Sequence, residues 1–249
     1  MKYIASSDNA KIKLIRSLGN KKARSENNMF LLEGERLVFS APDGFLKEIY
    51  IGESAERAFG RAVGERFGDY TLISDRVFEK ISDTVNAQGI LALADIPVAR
   101  RPDGKIICVA DGVADPGNLG SVLRSAVAFG IYDIVAVNCA DAYSPKAVRA
   151  TMGGIYYANV VRTSYAGARD IIVNGGYETI VLDMSGENIY SYTPRGKIAV
   201  VTGNEAHGVS AEFKRLADKT LSIPMPGRAE SLNAAVSASI AISWLSHNL

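Results

Sequence analysis

The sequence predicts an α/β protein with two domains, of which the second is built on a mostly parallel sheet. After residue 104, runs rich in valine and isoleucine alternate with helical segments, which is typical of strands that are covered on both faces. Residues 97–105 (PVARRPDGK) combine two prolines, a glycine and charged side chains, which is typical of a domain boundary. We therefore predict domains at residues 1–98 and 104–249.

The first predicted domain mixes short strands with helices. Ile12, Ile15 and Leu18 recur at helical spacing behind the cap candidates at residues 6–8, which predicts a helix near the amino terminus. The other predicted strands are FLLEG, LKEIYIG, YTLIS and GILALAD, and the other helices are SAERAFGRAVGERF and DRVFEKIS. This pattern predicts a small α/β domain.

The second predicted domain alternates strands and helices more regularly. Its predicted strands are IICVAD, YDIVAVN, YANVVR, ETIVLD, KIAVVTG and TLSIP. Its three clearest helices are GNLGSVLRSAVAFG, SAEFKRLAD and the long SLNAAVSASIAISWLSHN. Alternation of this kind predicts parallel strands joined by helical crossovers.

Composition narrows the class of protein. Hydrophobic residues make up 47% of the 249 residues, and 28 basic against 27 acidic side chains leave a net charge of +1, so no global field indicates a nucleic-acid binder. The two cysteines, Cys108 and Cys139, lie in apolar runs without a nearby histidine, which argues against a zinc site or a disulfide framework. No apolar stretch is typical of a secretory signal or a membrane span, so we expect a cytoplasmic protein without a membrane partner.

The first 24 residues form the most one-sided charged segment of the chain. They carry seven basic side chains against a single acid, Asp8. A solvated helix face explains such a segment equally well as a phosphate-binding surface does. The residues that we assign to RNA binding, should the surface bind it, are Lys11, Arg16, Lys21, Lys22 and Arg24.

Three loops that follow predicted strands carry unusual residues. They span residues 111–124 (DGVADPGNLGSVLR), 202–208 (TGNEAHG) and 223–233 (IPMPGRAESLN). Ligands of open α/β sheets bind beyond the carboxyl ends of the strands, which is where these loops begin. Taken singly, each loop could equally be ordinary turn chemistry, with glycine supplying positive φ and proline ending a strand.

Several common sites are not supported. The sequence has no G-x-G-x-x-G after a predicted strand, no G-x-x-x-x-G-K-[ST] and no G-x-S-x-G. These absences argue against a conventional dinucleotide site, a P-loop nucleotide hydrolase and a serine hydrolase. We interpret His207, a lone histidine in a polar loop, as solvated.

Taken together and in order, the three loops resemble a known family. The blocks N-L-G-x-x-x-R, G-N-E-x-x-G and I-P-M-x-G-x-x-x-S-L-N resemble the SpoU/TrmH branch of the SPOUT RNA 2′-O-methyltransferases, and residues 144–153 (SPKAVRATMG) extend the resemblance. Residues 9–24 (NAKIKLIRSLGNKKAR) and FLLEGERLV are similar to the substrate-binding domain of that family, which resembles RNA-binding ribosomal proteins. The resemblance implies a deep trefoil knot in the second domain and a homodimer, to which the last helix could contribute.

The resemblance also implies S-adenosylmethionine as the methyl donor, with no metal. It places the cofactor beside Thr202, Gly203, Ile223, Met225 and Leu232. Glycine would let the backbone approach the ligand, and the apolar side chains would wall the adenine. The catalytic residues that it implies are Arg124, Asn118, Glu205, Ser231 and Asn233.

Roles and alternatives accompany these residues. The planar fork of Arg124 suits a phosphate beside the target ribose, because it can donate two parallel hydrogen bonds. A guanidinium with a pKa above ~12 is a poor base, so we assign Arg124 to phosphate binding and not to proton removal. The alternatives are an ion pair between Arg124 and Asp111, a turn stabilised by Asn118 and a helix cap at Ser231.

The function implied by the resemblance is S-adenosylmethionine-dependent 2′-O-methylation of a structured RNA. We expect ribosomal RNA, with a guanosine of the large subunit as the target. The alternatives are a tRNA methyltransferase and a non-catalytic RNA-binding protein that has kept the fold.

Overall fold

The computed structural model describes residues 2–84, 86–228 and 230–249, and the chain forms two compact units. The first unit is Met1–Pro97 with Tyr143–Tyr156, and the second is Val98–Ala142 with Tyr157–Leu249. The strands are β1 (Lys2–Ile4), β2 (Met29–Glu33), β3 (Leu46–Gly52), β4 (Thr71–Ile73), β5 (Ile90–Asp95), β6 (Ile106–Asp111), β7 (Asp133–Val137), β8 (Asn159–Thr163), β9 (Tyr177–Asn188), β10 (Lys197–Thr202) and β11 (Lys219–Ser222). The α-helices are α1 (Ala10–Ser17), α2 (Lys21–Asn27), α3 (Glu35–Phe39), α4 (Glu56–Phe67), α5 (Asp75–Phe78), α6 (Pro116–Ala128), α7 (Pro145–Thr151), α8 (Tyr165–Gly175), α9 (Ala211–Leu216) and α10 (Ala234–Asn248).

The first unit contains a mixed five-stranded sheet in the order β1-β4-β3-β5-β2. The pairs β1–β4 and β4–β3 are parallel, whereas β5 runs antiparallel to both β3 and β2. The predicted amino-terminal helix is present as α1, and Ile12, Ile15 and Leu18 are at most 1% exposed. The apolar spacing of this segment therefore reflects packing against the core of the first unit.

Helix α7 belongs to the first unit in space, although it follows β7 in the sequence. It packs against β2, and Tyr143 just before it lies 5.1 Å from the ring of Phe30. Arg149, on the same helix, donates a hydrogen bond to Asp83 at 2.8 Å. The segment 143–156 thus completes the core of a unit whose other residues come from the first 97 positions.

The second unit contains a six-stranded sheet in the order β11-β9-β10-β6-β7-β8, and every pair is parallel. Alternate side chains of β6, β7 and β10 form one core layer with α8 and with Phe213 of α9. Helices α6 and α10 pack against each other, and α10 also contacts β10. Helices cover both faces, which confirms the prediction made from the continuous apolar runs.

Two features of the second unit differ from the predicted elements. Residues 165–175 form α8, a helix that the sequence analysis did not single out. Strand β9 is twelve residues long, well beyond the predicted ETIVLD, because it pairs with β11 on both sides of a register shift. The predicted knot stays a prediction.

No helix in the described ranges is both long and apolar enough to cross a membrane.

Candidate active site

The three loops singled out in the sequence leave the carboxyl ends of β6, β10 and β11. Because these strands are parallel members of one sheet, the loops begin at the same edge. A fourth segment joins them from β9. Thr220 pairs with Val181 and Leu221 pairs with Glu187, so residues 182–186 bulge out of the ladder at this edge.

A cavity of about 400 Å³ lies at this edge, within the range of small-molecule sites. All the residues assigned to the cofactor line it: Thr202, Gly203, Ile223, Met225 and Leu232. Glu205 and Ser231 line it too, whereas Asn118, Asn233 and Arg124 lie outside the lining. The structure therefore brings the second and third loops together around one space.

Gly203 has a structural reason to be glycine that the sequence analysis missed. A Cβ at this position would lie 2.2 Å from both the carbonyl carbon of Gly208 and the amide nitrogen of Val209. Main-chain atoms cannot move away as a flexible side chain can. Close approach within the 203–209 loop therefore excludes a side chain, whether or not a ligand also approaches.

Hydrogen bonds between side chains connect the three loops. Asn118 on α6 donates from Nδ2 to Glu205 Oε1 at 2.8 Å, and Asn118 Oδ1 accepts from Asn233 Nδ2 at 2.9 Å. Glu205 also accepts from the amides of Ala114 and Asp115, at 3.2 and 3.3 Å. One carboxylate and two amides thus fix the start of α6, the 203–209 loop and the start of α10 relative to one another.

This network keeps Glu205 ionised. Partial burial acts to raise the pKa of the carboxyl, but hydrogen bonds from Asn118 and from the main chain outweigh it, and the pKa is lower than usual. A carboxylate with a lowered pKa is a good hydrogen-bond acceptor and a weak base. The position of Glu205 therefore favours holding the loops over removing a proton.

Two structural alternatives from the sequence analysis are wrong. Asn233, not Ser231, caps α10, because its Oδ1 accepts from the amides of Ala235 and Val236 at 2.8 and 3.3 Å. Asn118 does not stabilise a turn with its side chain, since it lies within α6 and links two other loops. Ser231 instead lines the cavity.

Arg124 lies on α6 six residues after Asn118, which places the two side chains about 120° apart around the helix. Its side chain is exposed, and no described residue holds it by a hydrogen bond or an ion pair. The proposed ion pair with Asp111 is wrong, because Asp111 is buried and accepts from the amide of Ser210 at 2.7 Å. The guanidinium is therefore available to a ligand.

Comparison with known proteins identifies the family. Residues 105–243 match the model of the SpoU rRNA Methylase family, and residues 9–92 match an MRM3-like substrate binding domain. The chain is 32% identical to the 23S rRNA (guanosine(2553)-2′-O)-methyltransferase RlmP of Bacillus subtilis, over 98% of this chain and 99% of that protein.

The chain belongs to the SpoU rRNA methylase family. An S-adenosylmethionine-bound rRNA methyltransferase from Sinorhizobium meliloti superposes with a TM-score of 0.86 and 27% identity, over 100% of this chain and 98% of that one. The SpoU methyltransferase AviRb from Streptomyces viridochromogenes, in complex with the same cofactor, superposes with a TM-score of 0.83 and 25% identity, over 96% of this chain and 97% of that one. The expected family is confirmed, and the chain is an S-adenosylmethionine-dependent RNA 2′-O-methyltransferase.

The cavity of this SpoU-family chain fits the cofactor chemically. Ile223, Met225 and Leu232 offer apolar surface for an adenine ring, while Ser231 adds a polar residue to the lining and Thr202 is buried with its hydroxyl donating to the carbonyl of Ala234. The 2–84, 86–228 and 230–249 segments hold no cluster of three or more histidine, cysteine or acidic side chains that is placed to bind a metal. The apolar and polar groups of the lining together suit an organic ligand that carries an apolar ring.

Other residues of the cavity were not predicted from the sequence. Asn204 donates to the carbonyl of Gly112 at 2.8 Å and accepts from the amides of Ala206 and His207, so it fastens the second loop to the first. Asp183 lines the cavity from the β9 bulge, and a hydrogen bond from Lys214 lowers its pKa to about 2. His207, which we interpreted as solvated, is exposed and also lines the cavity. The G-N-E block could have pointed to Asn204, whereas nothing in the sequence indicated Asp183.

The basic residues assigned to RNA binding lie on α1 and α2 of the first unit, and they differ in exposure. Arg16 and Lys21 are exposed, Lys11 is paired with Glu48, and Lys22 lies 3.8 Å from Glu26 on an exposed face. Arg24 is only 3% exposed and donates from its guanidinium to the carbonyl of Leu18 at 2.7 Å. We withdraw Arg24 from the RNA-binding set, because its charge is used inside the first unit.

Proposed function

We propose that this chain methylates the ribose 2′-hydroxyl of a guanosine in large-subunit ribosomal RNA. The main support is the similarity to a 23S rRNA guanosine methyltransferase along nearly the full length of both proteins. A relative that matched only the second unit would support the reaction but not the substrate, whereas here residues 9–92 also match a substrate-binding model. The proposal therefore includes both units.

The residues around the cavity are proposed to position the reactants. When bound, S-adenosylmethionine supplies an electrophilic methyl group on a sulfonium. Thr202, Gly203, Ile223, Met225 and Leu232 bind this cofactor at the carboxyl edge of the sheet. Displacement at carbon tolerates little misalignment, so much of the rate enhancement depends on orientation.

The polar network is proposed to set that orientation. Asn118, Glu205 and Asn233 hold the three loops at fixed distances, and Ser231 offers a hydroxyl to the reacting groups. Arg124 binds a phosphate of the RNA through two parallel hydrogen bonds and stabilises charge near the ribose.

A homodimer is part of the proposal. Val236, Ile240 and Trp244 recur every four residues on α10, and Val236 is 46% exposed, whereas Ile240 and Trp244 are half-buried, so the apolar line is partly open to solvent. In contrast, Ile242 and Leu245 of the same helix are buried in the chain's own core. A second copy would cover this line and could bring its own Arg124 to the cavity.

Mixing inactive subunits tests whether Arg124 acts across the interface. We expect an Arg124→Ala chain and a Glu205→Ala chain, each inactive alone, to recover activity when unfolded together and refolded as mixed dimers. Recovery requires that one site of the mixed dimer keeps an intact Arg124 and an intact Glu205. A monomer by sedimentation, or no recovery from proven mixed dimers, would contradict this part of the proposal.

The first unit is proposed to bind the RNA through Lys11, Arg16, Lys21 and Lys22. Phosphate contacts of this kind release counterions, so affinity falls as the salt concentration rises. The cytoplasmic location and the domain boundaries at residues 98 and 104 stay predictions.

Mapping of 2′-O-methyl sites in total RNA, from cells with and without the gene, tests the substrate. We expect one guanosine of the large-subunit RNA to lose its methyl group in the deletion strain and to regain it on complementation. A lost site in tRNA would contradict the proposed substrate while keeping the reaction. No lost site, together with no heat of S-adenosylmethionine binding by calorimetry, would indicate an RNA-binding protein without activity.

A further inference from the structure

A second cavity lies at the opposite edge of the parallel sheet in the second unit. Strands β6 and β7 begin here, at Ile106 and Asp133, whereas the cofactor cavity lies where the strands end. The cavity has a volume of about 300 Å³. Its lining includes two aromatic rings, Phe129 and Tyr132, and two cationic side chains, Arg100 and Lys105. None of these residues contributes to the methyl-transfer site.

The aromatic rings at this edge are exposed. Phe129 is 44% exposed and Tyr132 is 50% exposed, although both flank strands of a well-buried sheet. Tyr157 is 54% exposed and precedes β8 by two residues, close to the point where the amide of Asn159 donates to the carbonyl of Tyr132 at 2.8 Å. Exposed apolar side chains are usually scattered singly over a protein surface. Several exposed aromatic rings along one edge therefore indicate an interaction surface.

Cations surround the rings. Arg100, Arg101 and Lys105 are exposed, and none of them forms an ion pair within the part of the chain that the structure describes. Of the two acidic residues in the lining, Asp133 is buried among hydrogen bonds, which leaves Asp103 as the exposed acid there, and Asp170 lies with Arg100 and Arg101 in an adjoining hollow. The exposed side chains of this edge are therefore aromatic and predominantly positive.

Two buried side chains fix the basic segment in place. Asn159 accepts from the amide of Arg100 at 2.8 Å and donates to the carbonyl of Arg100 at 3.0 Å. Asp133 accepts from the amides of Asp103 and Gly104, at 3.1 and 3.0 Å, and from Asn159 at 2.7 Å. A segment with the composition of a flexible linker is thus held rigidly against the sheet edge, which presents Arg100 and Lys105 beside the rings.

We propose that this edge binds an unpaired nucleotide of the RNA substrate, distinct from the nucleotide that is methylated. The base stacks on Phe129 or Tyr132, and Arg100 and Lys105 contact the phosphates on either side. Aromatic rings interleaved with cations are the combination that single-stranded nucleic acid requires, whereas a free anion would have no use for the rings. The inference rests on an RNA substrate, as in the proposed function, and adds a second contact on the catalytic unit.

Fluorescence anisotropy with a labelled single-stranded oligouridine of twelve nucleotides tests the stacking. We expect Tyr132→Ala and Phe129→Ala each to weaken binding about tenfold, the range for loss of one stacked base being roughly 5- to 150-fold. Tyr132→Phe keeps the ring and is expected to bind as the unmodified chain does. Val173→Ala, which removes another exposed apolar side chain from the same unit, is the matched control and is expected to bind normally.

The salt dependence tests the cations separately. Lys105→Ala is expected to reduce the slope of log affinity against log salt by about 0.7, the value for one phosphate contact of a single strand. This substitution leaves the core intact, so it decides the question even if a ring variant folds poorly. An unchanged slope together with unchanged binding by both ring variants would overturn the inference.

Calorimetry with S-adenosylmethionine separates this inference from the proposed function. We expect all these variants to bind the cofactor normally, since the substituted residues lie at the other edge of the sheet. Cofactor binding without any effect of the ring and lysine variants on RNA affinity would remove the second contact and leave the reaction untouched. A change in the oligomeric state of the variants with unchanged RNA affinity would overturn the inference and assign the edge to a protein interface.

Discussion

The carboxyl edge of the second unit and the basic helices of the first unit differ in how their polar side chains are held. At the carboxyl edge, Asn118, Glu205 and Asn233 are one another's hydrogen-bond partners. On α1 and α2, Arg16 and Lys21 extend from the surface. Breaking any member of a shared hydrogen-bond network disturbs the others, whereas separate charges each add a small, independent contribution to RNA affinity. The effect of substitutions should therefore be large and non-additive at the first place and small and additive at the second.

Arg124→Lys gives the largest expected effect, because a lysine keeps the charge but cannot make two parallel hydrogen bonds to a phosphate. We expect methyl transfer to fall by about 100-fold or more with normal cofactor binding. The measurement is incorporation of labelled methyl groups into RNA from the deletion strain. Arg169→Lys, at an exposed arginine of α8, is the control. Near-normal turnover by Arg124→Lys would refute the two-bond contact.

Asn118→Ala removes the contacts to Glu205 and Asn233 at once. We expect kcat to fall roughly 100-fold through misplacement of the loops, with a smaller loss of cofactor affinity. Adding Asn233→Ala should then cost little more, because the network is already broken. Asn27→Ala, which removes a local bond to the carbonyl of Ala23 at an exposed helix end, is the control. Fully additive losses at Asn118 and Asn233 would contradict a shared network.

Gly203→Ala tests the close main-chain approach in the second loop. The new Cβ would overlap the main chain of Gly208 and Val209, so we expect a loss of about 1–3 kcal/mol in the free energy of unfolding and weaker cofactor binding. Urea unfolding and calorimetry measure the two effects. Gly64→Ala, on α4 where the Cβ would meet no atom within 4 Å, is expected to stabilise the chain by up to about 1 kcal/mol.

Lys21→Ala and Lys22→Ala probe the first unit. Each is expected to weaken RNA binding only a few-fold and to reduce the salt slope by about 0.7–0.9, and the double variant should show the sum. Cofactor binding should not change. Salt-independent RNA affinity of the unmodified chain would remove the basic surface from the proposal and end the contrast between the two regions.

The smallest expected effect concerns acid stability. The folded pKa of Asp183, about 2, lies below the ordinary 3.8, so its bond with Lys214 stabilises the chain above about pH 4 and this contribution is lost as the pH falls towards 2. We expect Asp183→Asn to lower the free energy of unfolding by at most about 1 kcal/mol at neutral pH, with the gap closing in acid. A gap that persists unchanged in acid would contradict the lowered pKa.

The sequence sufficed for features that depend on local pattern. The strands of the second unit are buried on both faces, so IICVAD and KIAVVTG are apolar throughout and could be recognised without any knowledge of their neighbours. The three loops could be found because their residue types are unusual in combination. The cofactor residues were predicted from these loops, and all of them line one cavity.

Features that depend on distant partners could not be predicted. Arg24 has the composition of a surface cation, and only the fold places its guanidinium against the carbonyl of Leu18. The reason for glycine at position 203 lies in the return of the chain at Gly208. Asp183 reaches the cavity through a bulge that arises from strand pairing with β11, and pairing register is not visible in the apolar pattern.

The placement of α7 in the first unit has a consequence for synthesis of the chain on the ribosome. Residues 1–97 leave the ribosome well before residues 143–156, whose Tyr143 and Tyr156 pack on Phe30 and Phe45. Until then, the amino-terminal sheet lacks part of its apolar cover and is exposed to aggregation. The amino-terminal unit therefore finishes folding only after part of the catalytic sheet has been made, and a fragment ending at residue 97 would be an incomplete module for transplanting into another enzyme.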